Sequence, residues 1–103
     1  MKYNQLGKTG VLVSELCLGT MTFGGKGYWK SIGEVPQNEV NQIVKTSVDA
    51  GINFIDTANG YSEGLSEMML GKAIKELAIP RQQLVIATKV RLRMGPHANQ
   101  VGL

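Results

Sequence analysis

Two short apolar runs, 52–55 and 84–87, each lead to a single charge, Asp56 after the first and Lys89 after the second. These charges stand 33 positions apart, a natural length for one strand–helix–strand unit. Apolar residues fill both faces of each run, as expected of strands in a parallel sheet, with helices covering one side and a core filling the other. Between them, Leu70, Ala73, Ile74 and Leu77 form a helical stripe that Pro80 ends, with Ser66 as a candidate cap. Upstream, Pro36 opens another helix whose stripe is Val40, Ile43, Val44, Ser47 and Val48, and Gly51 fits the left-handed stop beyond it. Residues 2–6 and 11–13 flank a Gly7-Lys8-Thr9-Gly10 turn and read as a hairpin, and Leu16-Cys17-Leu18 is a further apolar run stopped by Gly19. The order is therefore a hairpin followed by β-α-β-α-β, which implies right-handed crossovers and a parallel sheet. Residues 20–35 form a long glycine-rich loop of the kind that is more often functional than idle, and residues 91–103 read as loop.

Composition narrows the function classes. The chain has 103 residues, one domain's worth, and 43% of them are hydrophobic, which excludes disorder. The net charge of +3 is scattered from Lys2 to Arg93, unlike the clustered footprint of a nucleic-acid binder. No stretch approaches the ~18 apolar residues of a membrane span, and no apolar run follows Met1-Lys2-Tyr3-Asn4 as a secretory signal would require. A single cysteine, Cys17, makes no internal disulfide and reads as a small core residue between two leucines. A cytoplasmic protein is the expectation. The chain shows no metal-ligand spacing. Gly19 and Gly24 have the outer spacing of a phosphate loop, but Gly25 stands where its lysine is required. Gly25 and Gly27 begin a dinucleotide fingerprint, but Lys30 takes its third glycine.

Asp56 and Lys89 sit at the carboxyl ends of adjacent parallel strands, the edge where α/β proteins place their sites. Ladder neighbours lie about 4.8 Å apart, so carboxylate and ammonium can meet. One reading is a structural ion pair closing the sheet. The other is an active-site pair. Tyr61, five residues past Asp56 on a loop over the same edge, favours the second, since an ammonium beside a phenol makes it a better proton donor. Taken alone, Tyr61 also reads as a loop aromatic packed on Trp29 or Met21.

These residues resemble those of the aldo-keto reductases. The resemblance is carried by Leu6-Gly7-Lys8-Thr9-Gly10, Val13-Ser14, the 18–24 segment Leu-Gly-Thr-Met-Thr-Phe-Gly, and the 51–61 block Gly-Ile-Asn-Phe-Ile-Asp-Thr-Ala-Asn-Gly-Tyr. Ser66-Glu67, Leu70-Gly71 and Ala87-Thr88-Lys89 complete it, so that it runs across almost the whole chain and is nearest to stress-protein and aryl-alcohol-type members. The resemblance implies an α/β architecture for residues 1–103: a hairpin sealing the bottom of a (β/α)8 TIM barrel, then its first three strands and two helices. It implies an oxidoreductase that reduces small-molecule aldehydes and ketones with NADPH. Tyr61 would be the proton donor, Lys89 would tune it, and Asp56 would hold Lys89. Gly19, Thr20 and Met21 would line the nicotinamide end of the cofactor, with Asp56 nearby. The family's catalytic histidine would fall beyond Leu103, and His97, in a Gly-Pro loop, reads as a solvated residue instead. Such barrels need ~250 residues, so the chain is expected to be a truncated barrel, inactive alone, whose open apolar edges invite self-association. The same family includes potassium-channel β-subunits, so a cofactor-sensing, non-catalytic role is the alternative expectation.

Overall fold

A computed structural model describes all 103 residues. Strands β1 (Tyr3–Gln5) and β2 (Leu12–Ser14) pair antiparallel as a hairpin. Strands β3 (Cys17–Gly19), β4 (Phe54–Asp56) and β5 (Val85–Ala87) form a parallel sheet in that order. Helix α1 (Gln37–Asp49) crosses from β3 to β4, and α2 (Leu65–Glu76) from β4 to β5. This is the hairpin-plus-β-α-β-α-β order that the sequence predicts.

Each strand offers one face to the helices. Leu18, Ile55 and Ile86 alternate with the residues of the opposite face. Ile55 is fully buried and lies in a core with Val40 and Val44 of α1, Met69, Leu70 and Ala73 of α2, and Phe23 and Leu84. Leu18 and Ile86 pack against that core. The hairpin is fixed at the amino-terminal end of the sheet. There the Ser14 N–H donates to Asn53 Oδ1 at 2.7 Å, and Asn53 Nδ2 donates to Leu12 O at 3.0 Å. The Tyr3 hydroxyl donates to Gly51 O at 2.7 Å, and Gly51 has the left-handed φ of 97° expected of a helix stop.

The opposite face of the sheet is open. Cys17 and Gly19 on β3 are exposed, and Phe54, Asp56, Val85 and Ala87 are only partly covered. The outer edges of β3 and β5 have no strand partner. Cys17 is thus not the core residue its leucine neighbours suggest, because those leucines face away from it. The nearby Asp56 carboxylate adds to partial burial in holding its thiol above the ordinary range. Pro36 stands just before α1 as its N-cap rather than inside its first turn. Ser66 does not cap α2; Gly64, at φ 98°, does. Residues 20–35 are not wholly irregular: they hold a 3-10 turn at Gly27–Ser31 and a bridge between Phe23 and Val35.

Candidate active site

Asp56 ends β4, and Lys89 lies two residues past β5, so both reach the carboxyl edge of the sheet. Residues 57–60 lead from that edge to a short turn, Tyr61–Gly64, which precedes α2. Three side chains meet there. The Lys89 ammonium donates to Asp56 Oδ2 at 2.7 Å, to Thr57 O at 2.9 Å and to Tyr61 Oη at 3.2 Å. An ammonium has three donors, and all three are engaged. Its nitrogen also lies 5.1 Å from the centroid of the Tyr61 ring. The Asp56 hydrogen bond, and then that to Tyr61, hold the Lys89 pKa above the usual lysine value, so the side chain is a cation at neutral pH.

This arrangement has a directional consequence. Tyr61 Oη accepts from Lys89, so its own proton is left to point elsewhere. The Tyr61 ring packs as a loop aromatic as well: it meets that of Trp29 edge to face, with centroids 5.4 Å apart. The two readings are compatible, since ring and hydroxyl have separate partners.

The site is less buried than its position at the strand ends suggests. The side chains of Lys89 and Asp56 keep 47% and 37% of their exposure. The reason is geometric: three strands cover only part of the circumference that a closed barrel would wrap.

The residues expected around a cofactor divide into two kinds. Gly19, in register with Asp56, is exposed, and no atom lies within 4 Å of where a side-chain carbon would stand. Met21 is also exposed. A flat ring could therefore reach the β3 backbone beside Asp56. Thr20 does not share that surface. It is fully buried, because its side chain turns to the loop behind the strand end. Its hydroxyl donates to Asp56 O at 3.3 Å and accepts from Ser66 Oγ at 3.1 Å, and its N–H donates to Asp56 O at 3.1 Å. Thr20 braces Asp56 instead of facing a ligand. His97 is exposed on its loop, as expected.

Sequence reasoning missed three contributors: the Thr57 carbonyl, and the hydroxyls of Ser62 and Ser66. Both serines are fully buried. Ser62 Oγ donates to Phe23 O, and Ser66 Oγ donates to Thr20 O at 2.7 Å. A serine four residues from another, at the mouth of an apolar stripe, is the one signal that could have pointed to them.

Comparison with known proteins gives the family and the fold. Residues 15–103 match the profile of the Aldo/keto reductase family. A Schizosaccharomyces pombe protein that carries the name of an aryl-alcohol dehydrogenase is 46% identical over 87 residues, covering 84% of this chain and 25% of its own length. The NADH-specific methylglyoxal reductase of Escherichia coli is 38% identical over 105 residues, covering 99% of this chain and 31% of its own length. The holo form of an aldo-keto reductase from Bacillus halodurans superposes with a TM-score of 0.71 at 34% identity, over 94% of this chain and 29% of that one. The chain thus spans about a quarter to a third of the length of these relatives. Its hairpin, three strands and two helices are those of an incomplete TIM barrel. Motif, fold and family profile converge, and the chain belongs to the aldo/keto reductase family.

Proposed function

We propose that this chain supplies the proton-donating part of a site that reduces aldehydes and ketones with NADPH. The observation that carries the reading is the saturated ammonium of Lys89, with Tyr61 Oη as one of its acceptors. The nicotinamide, when bound, supplies a hydride to the carbonyl carbon. Charge then develops on the carbonyl oxygen, and Tyr61 is the group that meets it. Its proton is not engaged by Lys89, and transfer of that proton leaves a phenolate beside a cation. Lys89 lowers the cost of that phenolate, and Asp56 fixes Lys89. Gly19 and Met21 offer the open surface for the ring, with Thr20 behind them. In this reading the site works within a closed barrel, and the three strands alone do not turn over. We assign any self-association of the isolated chain to the same unpaired edges of β3 and β5.

Oxidation of NADPH, and separately of NADH, by a closed barrel that contains these residues, in the presence of a simple aldehyde, tests the proposal. Tyr61→Phe is expected to lower kcat by about 10²–10⁴-fold, the usual contribution of a positioned acid. Turnover that survives Tyr61→Phe sinks the assignment. Faster oxidation of NADH replaces the cofactor, and one relative is named for that preference. A cofactor-sensing role is the second reading. It has the support of an Arabidopsis thaliana protein that carries the name of a voltage-gated potassium channel β subunit and is 38% identical over 104 residues. Saturable quenching of Trp29 fluorescence by NADPH without turnover in a closed barrel would favour it.

A further inference from the structure

The backbone beside Tyr61 takes a form that ordinary residues avoid. Ser62 stands at φ 49°, ψ 39° and Glu63 at φ 57°, ψ 33°, two consecutive left-handed residues that are not glycine. Gly64 follows at φ 98°. Such conformations persist only where the surroundings over-determine them, and they cluster at functional sites. Here the buried part of the surroundings is one hydroxyl, beside an exposed Lys26–Glu63 ion pair at 3.8 Å. Ser62 Oγ donates to Phe23 O at 2.9 Å and accepts from the Gly25 N–H at 2.9 Å. Both partners belong to the loop that carries Trp29.

The two segments approach so closely that a side chain on Gly24 would stand 2.9 Å from Leu65 and 3.3 Å from the Ser62 β-carbon. One hydroxyl therefore joins the residue next to Tyr61 with a residue four before Trp29. Tyr61 is then held on two sides, by Lys89 at its hydroxyl and by Trp29 at its ring.

We propose that Ser62 is a positioning residue, whose hydroxyl clasps the Tyr61 turn to the 20–35 loop and so sets the phenol against Lys89 and Trp29. This rests on the reading of Tyr61 as the proton donor, but the clasp itself is tested without turnover. Ser66 is the natural comparison. It too is a buried, hydrogen-bonded serine, yet it lies in regular helix and its bonds end on Thr20.

The experiment is a nuclear Overhauser measurement between the Trp29 indole and the Tyr61 ring in the full chain, made on wild type, Ser62→Ala, Ser62→Gly and Ser66→Ala. The cross-peak is expected in wild type and in Ser66→Ala, whose melting temperature falls. It is expected to vanish in both Ser62 variants. Glycine adopts the left-handed turn freely, so Ser62→Gly separates the hydroxyl from the backbone conformation and decides the matter if Ser62→Ala does not fold. A cross-peak that persists in Ser62→Gly overturns the proposal, as does its absence from wild type or its loss in Ser66→Ala. Within a closed barrel that turns over, Ser62→Gly should lower kcat about 10–10²-fold with little change in KM for the aldehyde. Full turnover in Tyr61→Phe alongside the expected cross-peaks would remove the proton-donor reading and leave the clasp standing.

Discussion

The two helices begin in different ways. Helix α1 follows Pro36, has no side-chain cap, and is placed by Val40 and Val44 in the core. Helix α2 follows three left-handed residues, and buried serines at its threshold and in its first turn bind it to another loop. The difference tracks what precedes each helix. The chain entering α1 carries Met21 and Trp29 but no member of the Asp56–Tyr61–Lys89 cluster, so apolar burial is enough to seat the helix. The chain entering α2 carries Tyr61, whose hydroxyl must fall within hydrogen-bond reach of a particular ammonium. Hydrophobic burial is non-directional and sets a helix only to within its packing freedom, whereas hydrogen bonds of fixed geometry set a position.

The comparison can be broken first where both helices share a floor. Ile55→Ala removes a fully buried side chain beneath α1 and α2 and should cost about 2–5 kcal/mol, read by urea denaturation. A cost under ~1 kcal/mol would show that the helices do not rest on β4. Next, Ser66→Ala leaves Thr20 O and Thr20 Oγ1 short of a partner and should cost about 1–3 kcal/mol. If it proves neutral, the polar anchoring of α2 carries no weight. Pro36→Ser should act in the opposite direction. It supplies the cap that α1 lacks and should raise stability by about 0.5–1 kcal/mol in the same assay. The smallest effect belongs to Lys89→Met, at most ~1 kcal/mol, because the pair is half open to water. Its sign with pH is fixed. A lysine whose folded pKa is raised stabilises the fold fully below its unfolded value near 10.4 and loses that contribution as pH rises through the folded value. The difference in melting temperature between Lys89→Met and wild type should therefore be flat from pH 6 to pH 9 and shrink only above about pH 10. A difference that already shrinks by pH 8 contradicts it.

Much of the site was legible in the sequence because it obeys a period. Asp56 and Lys89 follow strands whose apolar alternation fixes both face and end, and Tyr61 lies one short loop away. The stripe of α1 and the stop at Gly51 are legible for the same reason. The buried serines are not. A hydroxyl in a loop carries no periodic signal, and its partners are carbonyls and amides 37 to 46 positions distant. Ser66 drew attention as a cap because serine commonly caps, and only the left-handed Gly64 before it moves that duty away. Burial was misjudged at Cys17 because alternation tells which residues share a face, but not whether that face is covered.

The engagement of all three Lys89 protons also bears on the residue's reactivity. Nucleophilic attack by an amine needs a free lone pair, and therefore loss of a proton. Here each proton is held by an acceptor, and the cation is favoured beyond the ordinary lysine. Lys89 should thus be slower toward acylating reagents than Lys26 or Lys45, although its side chain is nearly as open to water as theirs. The same three bonds that keep Lys89 beside Tyr61 make it a poor nucleophile.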